Sequence, residues 1–293
     1  MTEISSSVRA AFDAMPDKKG MELHDLGYER YFYISLAGVN YLFQDSWTSL
    51  NDVYVGSITG SKARTHHRIS SKPEFQAAVR VPKTLAYKTP SISVLHEHDT
   101  DIQVMRSIEE IIDDIERQYG YPVFLKPDIS SMGRNTFFVE DRAQLSDAVS
   151  CIIEGRNTDK DVVIAQECID IAREYRAVYF KGEIITVFDR MFAERGIQHG
   201  RAHAEADLSC PVSTRFVEDP EKLDAIHKAT HIMAEETGQI YFGSDFAEDT
   251  EGNLWFVESQ TGPMLHLAYS GQGQARMDHL ASRILEHIAE QSP

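Results

Sequence analysis

The order of helical and extended patterns in this 293-residue chain predicts an α+β fold built on antiparallel sheets. Two observations carry that expectation. Tight-turn signals at Lys181-Gly182 and around Asp249 to Asn253 join strand patterns into hairpins. Helical stretches fall between the strands irregularly, without the strict βαβ alternation of a doubly wound sheet.

Taken in order, residues 1 to 20 are polar with a short helical pattern (Val8, Ala11, Phe12, Met15) ended by Pro16. Aromatic and branched residues then gather in YFYISLAGVNYLF and DVYVG, two expected strands of a small N-terminal lobe. Ser57 to Ser71 is polar, basic and punctuated by Gly60, and reads as a linker or mobile loop. Ser93 to Asp101 reads as a loop. Ser107 caps a helix with Glu110 at capping-box spacing, and Ile108, Ile111, Ile112, Ile115 and Tyr119 form its apolar face before Gly120. Strands are expected over Tyr121 to Lys126 and Thr136 to Glu140, then a helix over Gln144 to Glu154. Val162 to Ile169, Tyr175 to Phe180 and Glu183 to Asp189 read as strands, and Phe192 to Thr214 as a loop. Pro220 opens a helix that Gly238 ends. The hairpin pattern of Tyr241 to Gly262, a loop over Thr261 to Gly273 and a last helix (Met277, Leu280, Ile284, Leu285, Ile288) complete the chain.

Composition narrows the function. A net charge of −17 argues against nucleic acid and against anionic membrane surfaces, each of which calls for a basic face. A phosphate-bearing ligand would have to be met by local Lys, Arg or metal. Cys151, Cys168 and Cys210 are odd in number and widely spaced, as expected of reduced thiols in a cytoplasmic protein. The N-terminus has no apolar signal region, and no run approaches a membrane span.

The chemistry gathers in the hairpin YFGSDFAEDTEGNLWFVESQTG. Period-2 alternation puts Glu258 and Gln260 on one face, and antiparallel pairing brings Asp245 within reach of both. Two carboxylates and an amide oxygen there make either a merely solvated acidic hairpin or the hard donor set that Mg²⁺ prefers, and their place among aromatics favours the second. Lys126 ends the apolar strand VFLKP, either as a surface lysine or as an ammonium held over a phosphate with Gly133 and nearby backbone N–H groups. Gln166, Glu167 and Ile169 end the strand DVVIAQECI, which either leaves the core there or offers its edge to a purine; Glu174 follows as a candidate ribose contact. Arg176 and Arg190 lie on adjacent strands, placed to hold phosphate or a carboxylate, or to pair with Glu183 or Asp189. His66, His67, His96, His98, His199 and His203 do not form H-E-x-x-H, so no zinc site is assigned.

In this order the pieces resemble the ATP-grasp superfamily, most closely its carboxylate–amine ligases, over Ser71 to the C-terminus. S-S-K-P-E-F with V-R-V-P-K-T is similar to the segment that carries the family's first nucleotide lysine, which implies Lys72. Y-P-V-F-L-K-P and S-S-M-G-R resemble its second lysine and phosphate lid, implying Lys126, Ser131 and Gly133. V-I-A-Q-E-C-I resembles the adenine hinge (Gln166, Glu167, Ile169), with Glu174 on the ribose. E-Y-R-A-V and F-D-R-M resemble the strands of its triphosphate or substrate arginines, Arg176 and Arg190. F-G-S-D-F and F-V-E-S-Q-T-G-P match its metal hairpin, implying Asp245, Glu258 and Gln260 as Mg²⁺ ligands, with Gln260 where the family usually has Asn. The resemblance implies two α+β lobes clamping ATP, with a lid-bearing lobe over about 71–165, a metal- and substrate-binding lobe over about 166–293, and a short lobe over 1–70. It implies ATP-dependent C–N ligation of a small-molecule carboxylate and amine, an amino acid or peptide, through an acyl phosphate. A kinase acting on a hydroxyl and a non-catalytic nucleotide-binding module are the alternatives. The aromatic N-terminal lobe is a candidate cover for the site or for a second subunit in a homodimer.

Overall fold

A computed structural model describes residues 4–28, 31–45, 47–52, 55–56, 59–92, 102–130, 135–155, 161–191, 213–262 and 271–291. The lid residues Ser131 and Gly133, the expected loop at 93–101 and most of those at 192–214 and 261–273 lie outside them.

The N-terminal part is helix α1 (Ile4–Ala14) on a four-stranded antiparallel sheet, β1 (Glu22–Tyr28), β2 (Tyr31–Leu36), β3 (Val39–Gln44) and β4 (Trp47–Thr48), in sequential order. YFYISLAGVNYLF is thus two strands rather than one. Ala37 and Gly38 take φ of 51° and 84° between them, the left-handed pair that a two-residue hairpin turn requires. DVYVG does not appear as a strand: Val55 and Gly56 are helical, and Val53 and Tyr54 fall outside the described residues.

The second sheet runs β6-β5-β9-β7-β8, from β5 (Thr84–Lys88), β6 (Ile102–Val104), β7 (Val123–Pro127), β8 (Phe137–Val139) and β9 (Val163–Glu167). Its only parallel pair is β5 with β6 among the described strands. Two of its helices, here labelled after α2 (Lys62–Ser70) and α3 (Pro73–Ala78), are α4 (Ile108–Tyr119) and α5 (Arg142–Glu154). Ile111, Ile112 and Ile115 of α4 and Leu145, Val149 and Ile152 of α5 pack against β7 and β9. The Ser107 and Asp141 side chains accept from Glu110 and Gln144 N–H at the two N-termini.

The third sheet, wholly antiparallel, runs β12-β11-β10-β13-β14: β10 (Ile171–Phe180), β11 (Glu183–Met191), β12 (Ser213–Phe216), β13 (Tyr241–Asp249) and β14 (Leu254–Gln260). Lys181 and Gly182, at φ 41° and 86°, make the expected hairpin turn. Helix α6 (Pro220–Thr237) covers one face through Ile226, Ala229 and Met233, against Tyr175, Ala177, Phe242 and Phe246. The other face carries Val178, Phe180 and Phe188. Helix α7 (Gly271–Glu290) packs there, in one core with Ile4, Val8 and Phe12 of α1 and Phe32 and Phe43 of the first sheet. No described helix is long and apolar enough to cross a membrane.

The expected linker at Ser57 to Ser71 is corrected by α2. Its inward residues are Ala63, Arg64, Thr65, His66 and Ile69, a mostly polar face that carries no helical hydrophobic period. Tertiary contacts stabilise it instead. Ser61 Oγ accepts from Arg64 N at 3.2 Å, and the buried Asp128 carboxylate accepts from Ala63 N at 2.8 Å and Ser61 Oγ at 3.1 Å.

Asn51 ties the first part of the chain to the third sheet. Its amide donates to Tyr241 O at 2.6 Å and accepts from Ile240 N and Tyr241 N at 2.9 and 3.1 Å. Asn51→Ala strands these backbone groups, and urea denaturation should show a loss of about 2 kcal/mol.

Candidate active site

The β13–β14 hairpin is fixed at its turn by Asp249. One carboxylate oxygen accepts from Glu251 N and Asn253 N at 3.0 and 2.8 Å, and the other from Trp255 Nε1 at 2.8 Å. The register that follows sets Asp245 directly across from Glu258, and Gly243 across from Gln260. Cross-strand partners share a face, so the two acids and the amide converge. Gln260 Nε2 donates to Glu258 Oε1 at 2.9 Å and to Asp245 Oδ2 at 3.3 Å, bridging the pair. The expected metal set is therefore assembled by adjacent strands.

On the other side of Asp245 lies Arg176, its register partner in β10. Arg176 Nε and Nη2 donate to Asp245 Oδ1 and Oδ2, both at 2.6 Å. Burial works against the guanidinium charge, and the Asp245 carboxylate outweighs it, so the arginine pKa is raised. Arg190 pairs in register with Glu174 and Thr214.

Lys126 comes from β7 of the second sheet and is 4% exposed. Burial pushes its pKa down to about 8; Lys62 adds to the fall, while the carboxylates of Glu258, Asp245 and Asp128 oppose it. For Glu258, burial acts to raise the pKa. The fields of Lys62 and Lys126 outweigh that and hold the carboxyl below its ordinary value.

Lys62 is the residue that sequence reading missed. It opens α2, and its Nζ donates to Ser130 O at 2.7 Å, Ser130 Oγ at 3.2 Å and Asp128 O at 3.1 Å. Lys72, the lysine expected here, lies beyond the other end of α2, about 13 Å of helix away, and pairs with Glu236 at 2.7 Å. The structure gathers Lys62, Lys126, Arg176, Asp245, Glu258 and Gln260, and does not bring Lys72 among them.

The candidate nucleotide residues follow the passage from β9 into β10. Gln166 is buried, with its side-chain Nε2 3.2 Å from His66 Nε2 and donating to Thr84 Oγ1 at 2.9 Å. Glu167 is half-buried, and its N–H donates to Lys83 O at 3.0 Å. Ile169 is half-buried in the connection, and Glu174 is a half-buried residue of β10. A separate cleft of about 270 Å³, lined by Arg173, Tyr175, Asp189 and Arg215, involves the alternate residues of the same strands and so opens on the opposite face of the sheet.

The donor set fits Mg²⁺: Asp245, Glu258 and the amide oxygen of Gln260, once turned, offer only hard oxygens from side chains already within one ion's span.

No protein-family profile and no curated protein matches the sequence. Solved structures do. The chain superposes on a VanG D-Ala:D-Ser ligase from Enterococcus faecalis with a TM-score of 0.56 at 18% identity, covering 80% of this chain and 64% of that one. It superposes on a D-alanine–D-alanine ligase from Bacillus anthracis, complexed with ATP, with a TM-score of 0.53 at 13% identity, over 82% and 70%. A third match is the ATP-grasp ligase PsnB complexed with minimal precursor, with a TM-score of 0.50 at 13% identity, over 81% and 63%. This chain thus spans less than two thirds of the first of these ligases. The shared property at such identities is the fold, and the fold is ATP-grasp. It is the α+β arrangement that the order of the motifs implied.

The lysine at the centre gives a measurable signature. A ¹⁵N NMR titration of the ligand-free protein should find Lys126 Nζ half-deprotonated near pH 8, against an ordinary 10.5. Between those values the unfolded chain holds the proton that the folded one has released, so raising the pH through this window favours the native state. Urea denaturation of wild type relative to Lys126→Met should therefore show a gain of about 3 kcal/mol on going from pH 7.5 to pH 10.5.

Proposed function

We propose that this chain is an ATP- and Mg²⁺-dependent carboxylate–amine ligase acting on an amino acid or small peptide. The observation that carries the reading is the cross-strand pair Asp245 and Glu258, bridged by Gln260 and flanked by Lys62, Lys126 and Arg176, on an ATP-grasp frame. Charged groups this deep in a protein are costly unless they meet compensating charge. Several cations beside several acids suit a seat for a metal–polyphosphate pair.

In this reading a carboxylate oxygen of the first substrate attacks the γ-phosphorus of ATP. The bond from that phosphorus to the β–γ bridging oxygen breaks, and ADP leaves. The amine nitrogen of the second substrate then attacks the acyl carbon, inorganic phosphate leaves with the bonding pair, and the nitrogen gives up a proton. Asp245, Glu258 and Gln260 would hold Mg²⁺, which supplies charge neutralisation on phosphate oxygens. Lys126 and Lys62 offset the charge that grows on the transferring group, and an anion beside Lys126 holds its amine in the ammonium form. Arg176 keeps Asp245 ionised through its two hydrogen bonds and orients it. The Gln166-to-Ile169 edge takes adenine, Glu174 the ribose, Ser131 and Gly133 belong to the lid over the phosphates, and Arg190 meets phosphate or the substrate carboxylate. None of these roles calls for a covalent nucleophile; positioning and electrostatics supply the rate.

A screen of amino acids and short peptides as acid and amine pairs, with ATP and Mg²⁺, should release ADP only when both are present, with an amide product by mass spectrometry. ADP formed with a hydroxyl acceptor and no amine would overturn the ligase reading in favour of phosphoryl transfer to oxygen. Glu258→Gln, which keeps shape and removes charge, should lower ADP formation by about a hundredfold or more. Of the two candidate lysines, Lys62→Met should raise the KM for ATP by about tenfold, as loss of a charge-assisted contact does, and by more than Lys72→Met. The opposite ranking would return the phosphate contact to Lys72.

A further inference from the structure

One polar residue of α2 has no part in the chemistry just described. His66 is 5% exposed, with its ring 5.4 Å from that of Phe256. Its Nε2 faces Gln166 Nε2 at 3.2 Å, and the same amide nitrogen is anchored on Thr84 Oγ1 at 2.9 Å. An amide NH₂ directed at Nε2 requires the lone pair there, which puts the ring proton on Nδ1. The other side of the ring faces the β14 main chain at Val257, beside Phe256. Burial, with Lys126 adding to it, holds the pKa of His66 down to about 3, so the imidazole is neutral and keeps this donor–acceptor polarity at physiological pH.

The ring therefore spans two sheets. At one end is Gln166, in register with Thr84 of β5 and Phe124 of β7, at the strand edge assigned above to adenine. At the other is the peptide group linking Val257 to Glu258. A ring needed only to fill space beside Phe256 would be served by an apolar side chain, without a polar group to satisfy in the interior. Nε2 meets the Gln166 amide while the ring lies against Phe256, and a hydrogen bond of fixed direction restricts rotation and sliding in a way that packing does not.

We infer that His66 is a positioning residue: a buried polar strut that sets the height of Glu258 against the Gln166 strand edge, so that seating the base and placing the metal ligand depend on one another. The inference rests on the nucleotide and metal reading above, and deepens it. It predicts that loss of the strut weakens Mg²⁺–ATP more than it weakens ATP without the metal.

The test is His66→Phe, which keeps the ring and its contact with Phe256 and removes the ring nitrogens that meet Gln166 and the β14 main chain. Calorimetric Kd values for ATP with Mg²⁺ and for ATP with EDTA, alongside Tm, should show a tenfold or greater loss with Mg²⁺ and less than threefold without it. His66→Gln, with one donor and one acceptor, should recover at least part of the loss. If His66→Phe folds and binds Mg²⁺–ATP within twofold of wild type, the ring is packing only and the strut is refuted. Equal losses with and without the metal also refute it. If His66→Phe does not fold, Thr84→Val decides, since it frees the Gln166 amide without touching α2. A threefold or greater loss confined to Mg²⁺–ATP then supports the strut, and no change refutes it. Failure of the wild type to bind Mg²⁺–ATP would instead sink the functional reading, and is a separate outcome.

Discussion

The two hydrogen bonds from Arg176 to Asp245 are the constraint around which the rest of the site is arranged. They lie between strands already in register, so backbone pairing of β10 with β13 sets their length and the side chains have little freedom left. A carboxylate held this way meets the guanidinium directly in the interior. Its charge then shapes what can stand nearby, with Glu258 across one strand and Lys126 reaching in from another sheet. The site is thus a balance of opposed charges, each of which would be costly to bury alone. Removing any one of them leaves its partners under-compensated, which explains why acids and bases reach the same point from separate sheets.

Much of this was legible in the sequence because it rests on local rules. The left-handed pairs at Ala37-Gly38 and Lys181-Gly182 obey turn chemistry, although only the second was read as a turn. Ser107 and Gly120 bound α4 as capping predicts. The convergence of Asp245, Glu258 and Gln260 follows from the period of a strand and the antiparallel register of a hairpin.

What escaped was the segment whose structure depends on distant residues. Helix α2 buries Arg64, Thr65 and His66, so its pattern is that of a loop. Its N-terminus is completed by Asp128, more than sixty residues away in sequence. With the helix hidden from the sequence, Lys62 in its first turn has no local signal either, whereas Lys72 stands in a recognisable motif. A tertiary cap has no local signature. The nearest clue was Ser61, a good N-cap residue three positions before Arg64, which accepts in just that way.

The N-terminal sheet has a consequence for how the chain hangs together. Phe32 and Phe43 share one core with Val178, Phe180 and Phe188, on the sheet face that α7 also covers. Residues 4–50 therefore behave as a wall of the third sheet and not as an appendage to it. Loss of α1 or of the first sheet would expose the apolar strand surface of Val178, Phe180 and Phe188 to water. Helix α1, the first sheet and helix α7 thus stand or fall as one packing unit.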